Sequence, residues 1–294
     1  MSIILVNYLV FPYINPIIFS WGPISLHWYG AMYFFSFLFG ILVLSNRANF
    51  IENCWIKKEI ENLLYISFFA LLIGGRIGYV IFYQPEMFYR NVLCIFKIWE
   101  GGMSFHGGLI GVIVVWILFS YYKNFPFFKI SDFIVPIVPF GLAAGRLGNF
   151  INGELYGRVN IDIPWAMLFP NTQRQDILDI LKHSEWEVIF DIYGALPRHP
   201  SQLYEMLLEG VLLFIIINYW LIRTSPPIGS ISGLFLFLYG VFRIFVECFR
   251  EPDLHIGLFM GYISMGQILS IPMVIAGIII LCVSYGIFCK KDFN

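Results

Sequence analysis

Charge is what this 294-residue sequence has least of. Only 13% of its residues are Asp, Glu, Lys or Arg, against 59% hydrophobic, and mean hydropathy is +0.77; an ordinary soluble domain carries about 25% charged residues. A chain with 31 Phe and so few charges cannot hide its apolar surface in one water-facing core, so the bilayer is the expected solvent. Net charge is only -1 and long basic runs are missing, which argues against nucleic acid as a partner. The five cysteines (Cys54, Cys94, Cys248, Cys282, Cys289) have neither CxxC nor metal-ligand spacing. Neither a disulfide framework nor zinc is expected, and no cluster suggests another metal or a cofactor. His-Glu-x-x-His and Gly-x-Ser-x-Gly are also missing, which leaves no apparatus for the commoner protease and hydrolase chemistries. Without a repeat of fixed period, a solenoid is excluded. The apolar stretch Met1 to Pro12 lacks a basic n-region and a small-residue cleavage site, so it is not read as a cleaved signal peptide.

Long apolar runs are what the sequence has in abundance. A spanning helix needs roughly 20 mostly apolar residues, and seven windows qualify: Ile24–Ser45, Asn62–Tyr83, Phe105–Tyr122, Ser131–Leu147, Gln202–Ile222, Ile231–Glu247 and Ile263–Phe288. The short fourth window carries Pro136 and Pro139, which predicts a kink. Residues 149–201 have mixed charge and soluble composition, and are expected to form a small head between the fourth and fifth helices. The expected fold is thus an all-α polytopic membrane protein: one membrane domain over residues 1–294 with seven transmembrane helices and an inserted head.

Orientation follows from the connecting segments. Arg47, Lys57, Lys58, Lys123, Lys129, Arg223, Lys290 and Lys291 fall on one side, on short loops and the C-terminal tail. Arg90, Lys97, Arg158, Arg174, Lys182, Arg198 and Arg250 fall on the other, four of them in the long loop, which weighs little in the positive-inside rule. The N-terminus is expected outside, the C-terminus inside, and the head extracytoplasmic.

This topology places polar residues in depth. Odd spans run inward and even spans outward. Tyr29 at the start of the first span, Arg76 and Tyr79 late in the second, and His106 opening the third therefore share the outer half with Arg146, Tyr239, Arg243 and Glu247. In the sixth span Tyr239, Arg243, Glu247 and Arg250 are spaced 4, 4 and 3, a single polar stripe among apolar neighbours. The plainest reading is an Arg243–Glu247 pair that neutralises itself, but one glutamate leaves two further intramembrane arginines, Arg76 and Arg146, unpaired. Each costs roughly 2.5 to 3.5 kcal/mol at a helix centre. A guanidinium fork suits phosphate, so a lipid headgroup reached from the outer leaflet satisfies all three. Snorkelling to ordinary lipid phosphates explains one arginine more readily than a convergence with His, Asn and Glu. A transporter of organic anions is the competing class, although such proteins favour related halves and a midplane site. The small-residue patterns Gly74-Gly75-Arg76-Ile77-Gly78, Gly107-Gly108-Leu109-Ile110-Gly111 and Gly141 to Gly145 read as close helix contacts in lipid.

The run Gly145-Arg-Leu-Gly-Asn-Phe-Ile-Asn-Gly-Glu-Leu-Tyr-Gly157 resembles the signature of bacterial prolipoprotein diacylglyceryl transferases. The resemblance continues through Trp28-Tyr29-Gly30, Gly75 to Tyr79, Trp99 to Leu109, Arg198-His-Pro-Ser-Gln-Leu-Tyr-Glu205, Tyr239 to Arg243 and Glu247 to Asp253, in the family's order. It implies a seven-helix body with a periplasmic head in the bacterial cytoplasmic (inner) membrane, its active site facing the outer leaflet. It also implies a reaction, the transfer of the diacylglyceryl group of phosphatidylglycerol to the lipobox cysteine of a prolipoprotein, with release of glycerol phosphate. By the same resemblance His106 is the candidate base, and Arg146 and Arg243 are the candidates for holding the phosphate. Asn149, Glu154, Gly157, Arg76, Tyr79, Tyr29 and Tyr239 match further substrate-side positions, and Arg250 lies in the last block. Glu247 either orients Arg243 or acts as base; the sequence does not separate the two.

The orientation is checked with reporters fused after Asn294. One that works only in the cytoplasm should be active there, and one that requires export should be silent; the reverse pattern would overturn the assignment of depth.

Overall fold

A computed structural model describes residues 8–22, 24–48, 57–86, 92–96, 102–252, 257–259 and 261–287. Among these are seven helical stretches long and apolar enough to cross a bilayer: Trp28–Ala48, Lys57–Phe82, Phe105–Lys123, Phe127–Ile151, Ser201–Arg223, Ser230–Glu247 and Met265–Ser284. Every expected window is occupied, and the boundaries move where local chemistry outweighs the apolar run. Residues 24–27 are not helical. Strand β3 (Ile24–His27) pairs antiparallel with β2 (Ile17–Trp21), a hairpin helped by its β-branched and aromatic side chains, so the first helix, α1, starts only at Trp28. Helix α2 (Lys57–Phe82) reaches back through a polar first turn held by Lys57–Glu61 and Glu59–Lys123 pairs. The fourth span is longer than expected and interrupted: α4 (Phe127–Ile134), a 3-10 turn at Val135–Ile137, then α5 (Val138–Ile151). The expected kink falls at Pro136, which has no N–H to continue the ladder. Residues 99–101, Arg90, Lys97, Asp253, Phe288, Lys290 and Lys291, used above, lie outside the described residues.

The chain divides into two compact units, residues 37–135 and residues 1–36 with 136–294. In the first, α2 and α3 (Phe105–Lys123) run antiparallel, with Lys123 at the end of α3 paired to Glu59 at the start of α2. Glycine makes the contact possible. A Cβ on Gly78 would lie 2.8 Å from Gly107 Cα, and one on Gly107 2.9 Å from Gly78 Cα. The small-residue patterns are therefore contact surfaces. Trp116 Nε1 donates to Ser67 Oγ at 3.1 Å further along, and Ser104 N donates to Gly75 O at 2.8 Å where α3 begins.

The other unit holds the fifth, sixth and seventh spans, the start of the first, the end of the fourth and the segment between the fourth and fifth. That segment contains β4 (Met167–Leu168), β5 (Pro197–Arg198) and helices α6 (Gln173–Lys182) and α7 (Glu187–Tyr193). It recruits a strand from the chain's beginning: β1 (Leu9–Val10) lies parallel to β4, which pairs antiparallel with β5. Phe11, Phe150, Met167 and Phe169 form the core beneath, with Tyr156 and Leu203 against it. The pairing of β1 with β4 requires both to be on one side of the bilayer, as an even number of crossings between them demands.

Buried Arg198 organises the segment. Its Nη2 contacts Asp176 Oδ1 and Asp179 Oδ2, both at 2.6 Å, and Nη1 contacts Glu251 Oε2 at 3.2 Å and Gly157 O at 3.4 Å. Burial opposes the Arg198 charge, but Asp176 and Asp179 outweigh it and hold the guanidinium above its ordinary range. For Glu251 the balance is opposite: burial raises its carboxyl despite Arg198. Burial also holds the neighbouring His199 below the usual imidazole range.

Replacing Gly107 with Leu forces α2 and α3 apart. Overpacking of this kind costs about 1–3 kcal/mol, and a lowered thermal midpoint in detergent, measured beside an exposed Leu109→Ala control, checks it.

Candidate functional site

Three guanidiniums and three carboxylates meet where the fourth, fifth, sixth and seventh spans end or begin on one side. Arg146 comes from the last turns of α5. Its Nε lies 2.6 Å from Glu205 Oε2 and its Nη2 lies 3.4 Å from Glu209 Oε2. Arg243, on α10 (Ser230–Glu247), places Nη1 at 2.9 Å from Glu205 Oε1 and 3.5 Å from Glu209 Oε1, and Nη2 at 2.8 Å from Glu247 Oε2. Arg250 Nη1 completes the set, 3.1 Å from Glu205 Oε1.

The fifth span supplies the carboxylates through an irregular turn. It begins as α8 (Ser201–Glu205), continues as a π-helical stretch from Met206 to Leu212, and resumes as α9 (Leu213–Arg223). A π turn takes more than four residues and widens the helix, a device often found at functional sites. Gly210 lets it press on α5, since a Cβ there would lie 2.5 Å from Ala143 Cβ. Ala143 is one turn before Arg146, so this contact carries Glu209 to the guanidinium. On the opposite flank α11 (Met265–Ser284) crosses close to α10: a Cβ on Gly266 would lie 2.7 Å from Glu247 Cδ.

The layering of this cluster decides what it can do. Glu205 and Glu209 are 1% and 0% exposed, whereas Arg146 and Arg243 keep 18% and 14%. The carboxylates are therefore sealed in and hold the guanidiniums, while the arginine side chains keep part of their surface accessible. Removing one partner of such a buried pair leaves an uncompensated charge, at a cost of about 3–5 kcal/mol.

Next to Arg146 in sequence, the signature run folds into a second polar group. Gly148 admits the ring of Tyr29, whose Cδ2 would be 3.0 Å from a Cβ there. Asn149 Nδ2 donates to Glu154 Oε1 at 2.9 Å, Asn152 Nδ2 does so at 3.3 Å, and Gln202 Nε2 donates to Glu154 O at 2.7 Å. Tyr29 and Tyr33 hydroxyls are 3.1 Å apart. Tyr29, Gly30, Asn152 and Glu154, with Pro16 and His27, line an open pocket of about 650 Å³. Gly157 is not a turn residue. It bridges antiparallel to Arg250, and a Cβ on it would lie 2.6 Å from His199 Cβ and from Phe249 O, so only glycine fits between them.

The sequence-predicted residues fall into three groups. Arg146, Arg243, Glu247 and Arg250 join one ion network; Tyr239 lies one turn before Arg243, its ring stacked on Phe235 at 5.7 Å. Tyr29, Asn149 and Glu154 belong to the pocket group, with Gly157 nearby in the chain. Arg76, Tyr79 and His106 belong to the unit of residues 37–135. There Arg76 Nε and Nη2 donate to Cys94 O at 3.1 and 3.0 Å, and Nη1 donates to Gly102 O at 3.4 Å, so this buried arginine holds the connection between α2 and α3. Tyr79 stacks on Tyr83 and covers Gly102, which needs its φ of +77° and its missing side chain. His106 is exposed in the first turn of α3, behind the Ser104 cap.

Two residues were missed. With Glu205 and Glu209 in place, Glu247 is not the lone counter-ion of the arginines. The sequence carries only a partial signal, two glutamates four residues apart at the head of an apolar span, and it does not reveal their partners.

The family model described as prolipoprotein diacylglyceryl transferase matches residues 16–283. A phosphatidylglycerol–prolipoprotein diacylglyceryl transferase of Sodalis glossinidius is 58% identical over 279 residues, spanning 95% of this chain and 96% of the relative. Its namesake in Yersinia enterocolitica is 58% identical over 280 residues, with the same coverage. At that identity and coverage, with the family's match running from the hairpin to the seventh span, the chain belongs to the prolipoprotein diacylglyceryl transferase family.

Proposed function

We propose that this chain moves the diacylglyceryl group of phosphatidylglycerol onto the lipobox cysteine of a prolipoprotein, with its site facing the outer leaflet of the bacterial cytoplasmic membrane and residues 149–201 as an extracytoplasmic head. In the reaction the thiol loses its proton, sulfur attacks the glycerol carbon, the carbon–oxygen bond to phosphate breaks, and glycerol phosphate leaves. The chemistry makes two demands. The thiol, with a free pKa near ~8.5, needs a base or a positive field. The departing phosphate needs fixed positive charge in a site shielded from water.

The observation that carries the reading is the layered network: the Arg146 and Arg243 side chains stay partly exposed while their partners Glu205 and Glu209 are sealed. An incoming phosphate approaches the two arginines from their partly exposed side, away from the buried carboxylates. Preorganised donors of this kind act on the charge that develops as the bond breaks. Glu205 and Glu209 are then positioning residues, and Arg250 is held to the same carboxylate. Tyr29, Asn149, Glu154 and Tyr239 are assigned to the substrate side, Gly157 to the backbone contact that fixes Arg250, and His106 to the proton of the incoming thiol. Glu247 orients Arg243, given their 2.8 Å contact. Arg76 and Tyr79 enter only through the connection they hold.

Reconstitution with phosphatidylglycerol and a lipobox peptide tests the reaction directly. Mass spectrometry should show a diacylglyceryl adduct that requires the peptide cysteine, with matching glycerol phosphate. A protein that binds the lipid yet modifies nothing would favour a carrier. Arg243→Lys should lose at least about tenfold in turnover, because lysine keeps the charge but not the planar fork; wild-type turnover would remove Arg243 from the phosphate. Glu209→Gln should lower kcat by about tenfold while leaving KM for phosphatidylglycerol no higher, the split expected of a residue that aims a guanidinium. A raised KM with unchanged kcat would assign Glu209 to ground-state binding instead.

A further inference from the structure

Helix α6 is turned inside out relative to an ordinary head helix. Gln175, Asp176 and Asp179 face inward and are buried, while Ile177 and Leu181 are 54% and 78% exposed and Leu178 lies beside them. Arg198 is the cause. It draws Asp176 and Asp179 inward, and Asp176 Oδ2 also accepts from Thr172 Oγ1 at 2.6 Å and from Leu196 N at 3.1 Å. With the acidic side fixed, helical spacing leaves residues 174, 177, 178 and 181 on the outer face. That face is bordered by Arg174 and Lys182, both exposed. Past its end the His183 ring stacks on Trp186 at 4.3 Å, and Glu185 is taken by His183 at 3.2 Å.

We propose that the outer face of α6 rests on the bilayer surface on the head's side and binds anionic phospholipid. The apolar side chains enter the boundary between headgroups and acyl chains, and Arg174 and Lys182 contact lipid phosphates. Depth is the first support. Arg198, which holds the inner face of α6, precedes the fifth span by three residues, and its partner Glu251 follows the sixth span by four. The helix is therefore tied to the ends of two spans, at the level where the membrane surface lies. Charge is the second support. The acidic residues of α6 are turned inward, so the outward face is apolar with basic borders, the pattern of a helix lying in an anionic interface. Lipid of any anionic headgroup satisfies it, so the inference is independent of the reaction proposed above.

The test uses the full chain carrying benzoylphenylalanine at position 181 or, as an exposed control, at position 191. Each protein is reconstituted in phosphatidylcholine vesicles containing a minority of phosphatidylglycerol or, separately, of phosphatidylserine, then illuminated. Lipid adducts should form at 181 several-fold more than at 191 and should be enriched in either anionic lipid over its bulk share. Arg174→Glu combined with Lys182→Glu should return the adducts to the bulk composition. Equal yields at the two positions would overturn the proposal. So would adducts at 181 that appear only with an added lipobox peptide and consist of that peptide, since the face would then be a protein-docking surface.

Discussion

An arginine in a bilayer is stable only if something neutralises it, and the architecture of the larger unit follows from how that is done. Arg146 comes from the fourth span and Arg243 and Arg250 from the sixth span and its exit, and all three reach Glu205. One carboxylate thus ties the ends of the fourth, fifth and sixth spans together. Because the interior is poorly polarisable, a missing partner here is far more costly than on a surface. The network holds helix ends in register for the same reason that it presents guanidiniums at a fixed angle. Fold and site share one set of contacts.

The same solution recurs in the segment between the fourth and fifth spans with other residues. Arg198 satisfies Asp176, Asp179 and Glu251 in a buried cluster, and the backbone bridges of Gly157 to Arg250 and of Val159 to Arg198 run between the two arginine centres. A displacement at either cluster is felt at the other through a few residues of extended chain. Gly157 matters for this reason: its missing side chain lets three strands of backbone come together.

Much of this was legible in the sequence. The seven spans follow from apolar run length, the kink of the fourth from Pro136, and the α2–α3 contact from the glycine spacing. Arg243, Glu247 and Arg250 were visible as one polar stripe. What escaped was chemistry that depends on long-range pairing. Residues 24–27 were counted into a span because apolar composition does not distinguish a two-stranded hairpin from the start of a helix. Glu205 and Glu209 were hidden because a glutamate near the start of a span reads as an interfacial residue until its partners are known, and the π-helical stretch that turns them has no reliable local code. Arg76 is the complementary case. From composition it resembled the other arginines, yet it binds backbone carbonyls, a demand set by a connection whose path the sequence does not reveal.

The short strand β1 has a consequence for biogenesis. Leu9 pairs with Met167, so this sheet cannot close until four helices have been synthesised and threaded. Such distant pairing is slow to form. Until it does, Phe11 is absent from the aromatic cluster beneath the sheet, and the signature run that ends at Gly157 lacks its cover. Residues that precede the first span are then placed late, and the site itself waits longer still, because Glu205, Arg243 and Arg250 come from the fifth and sixth spans.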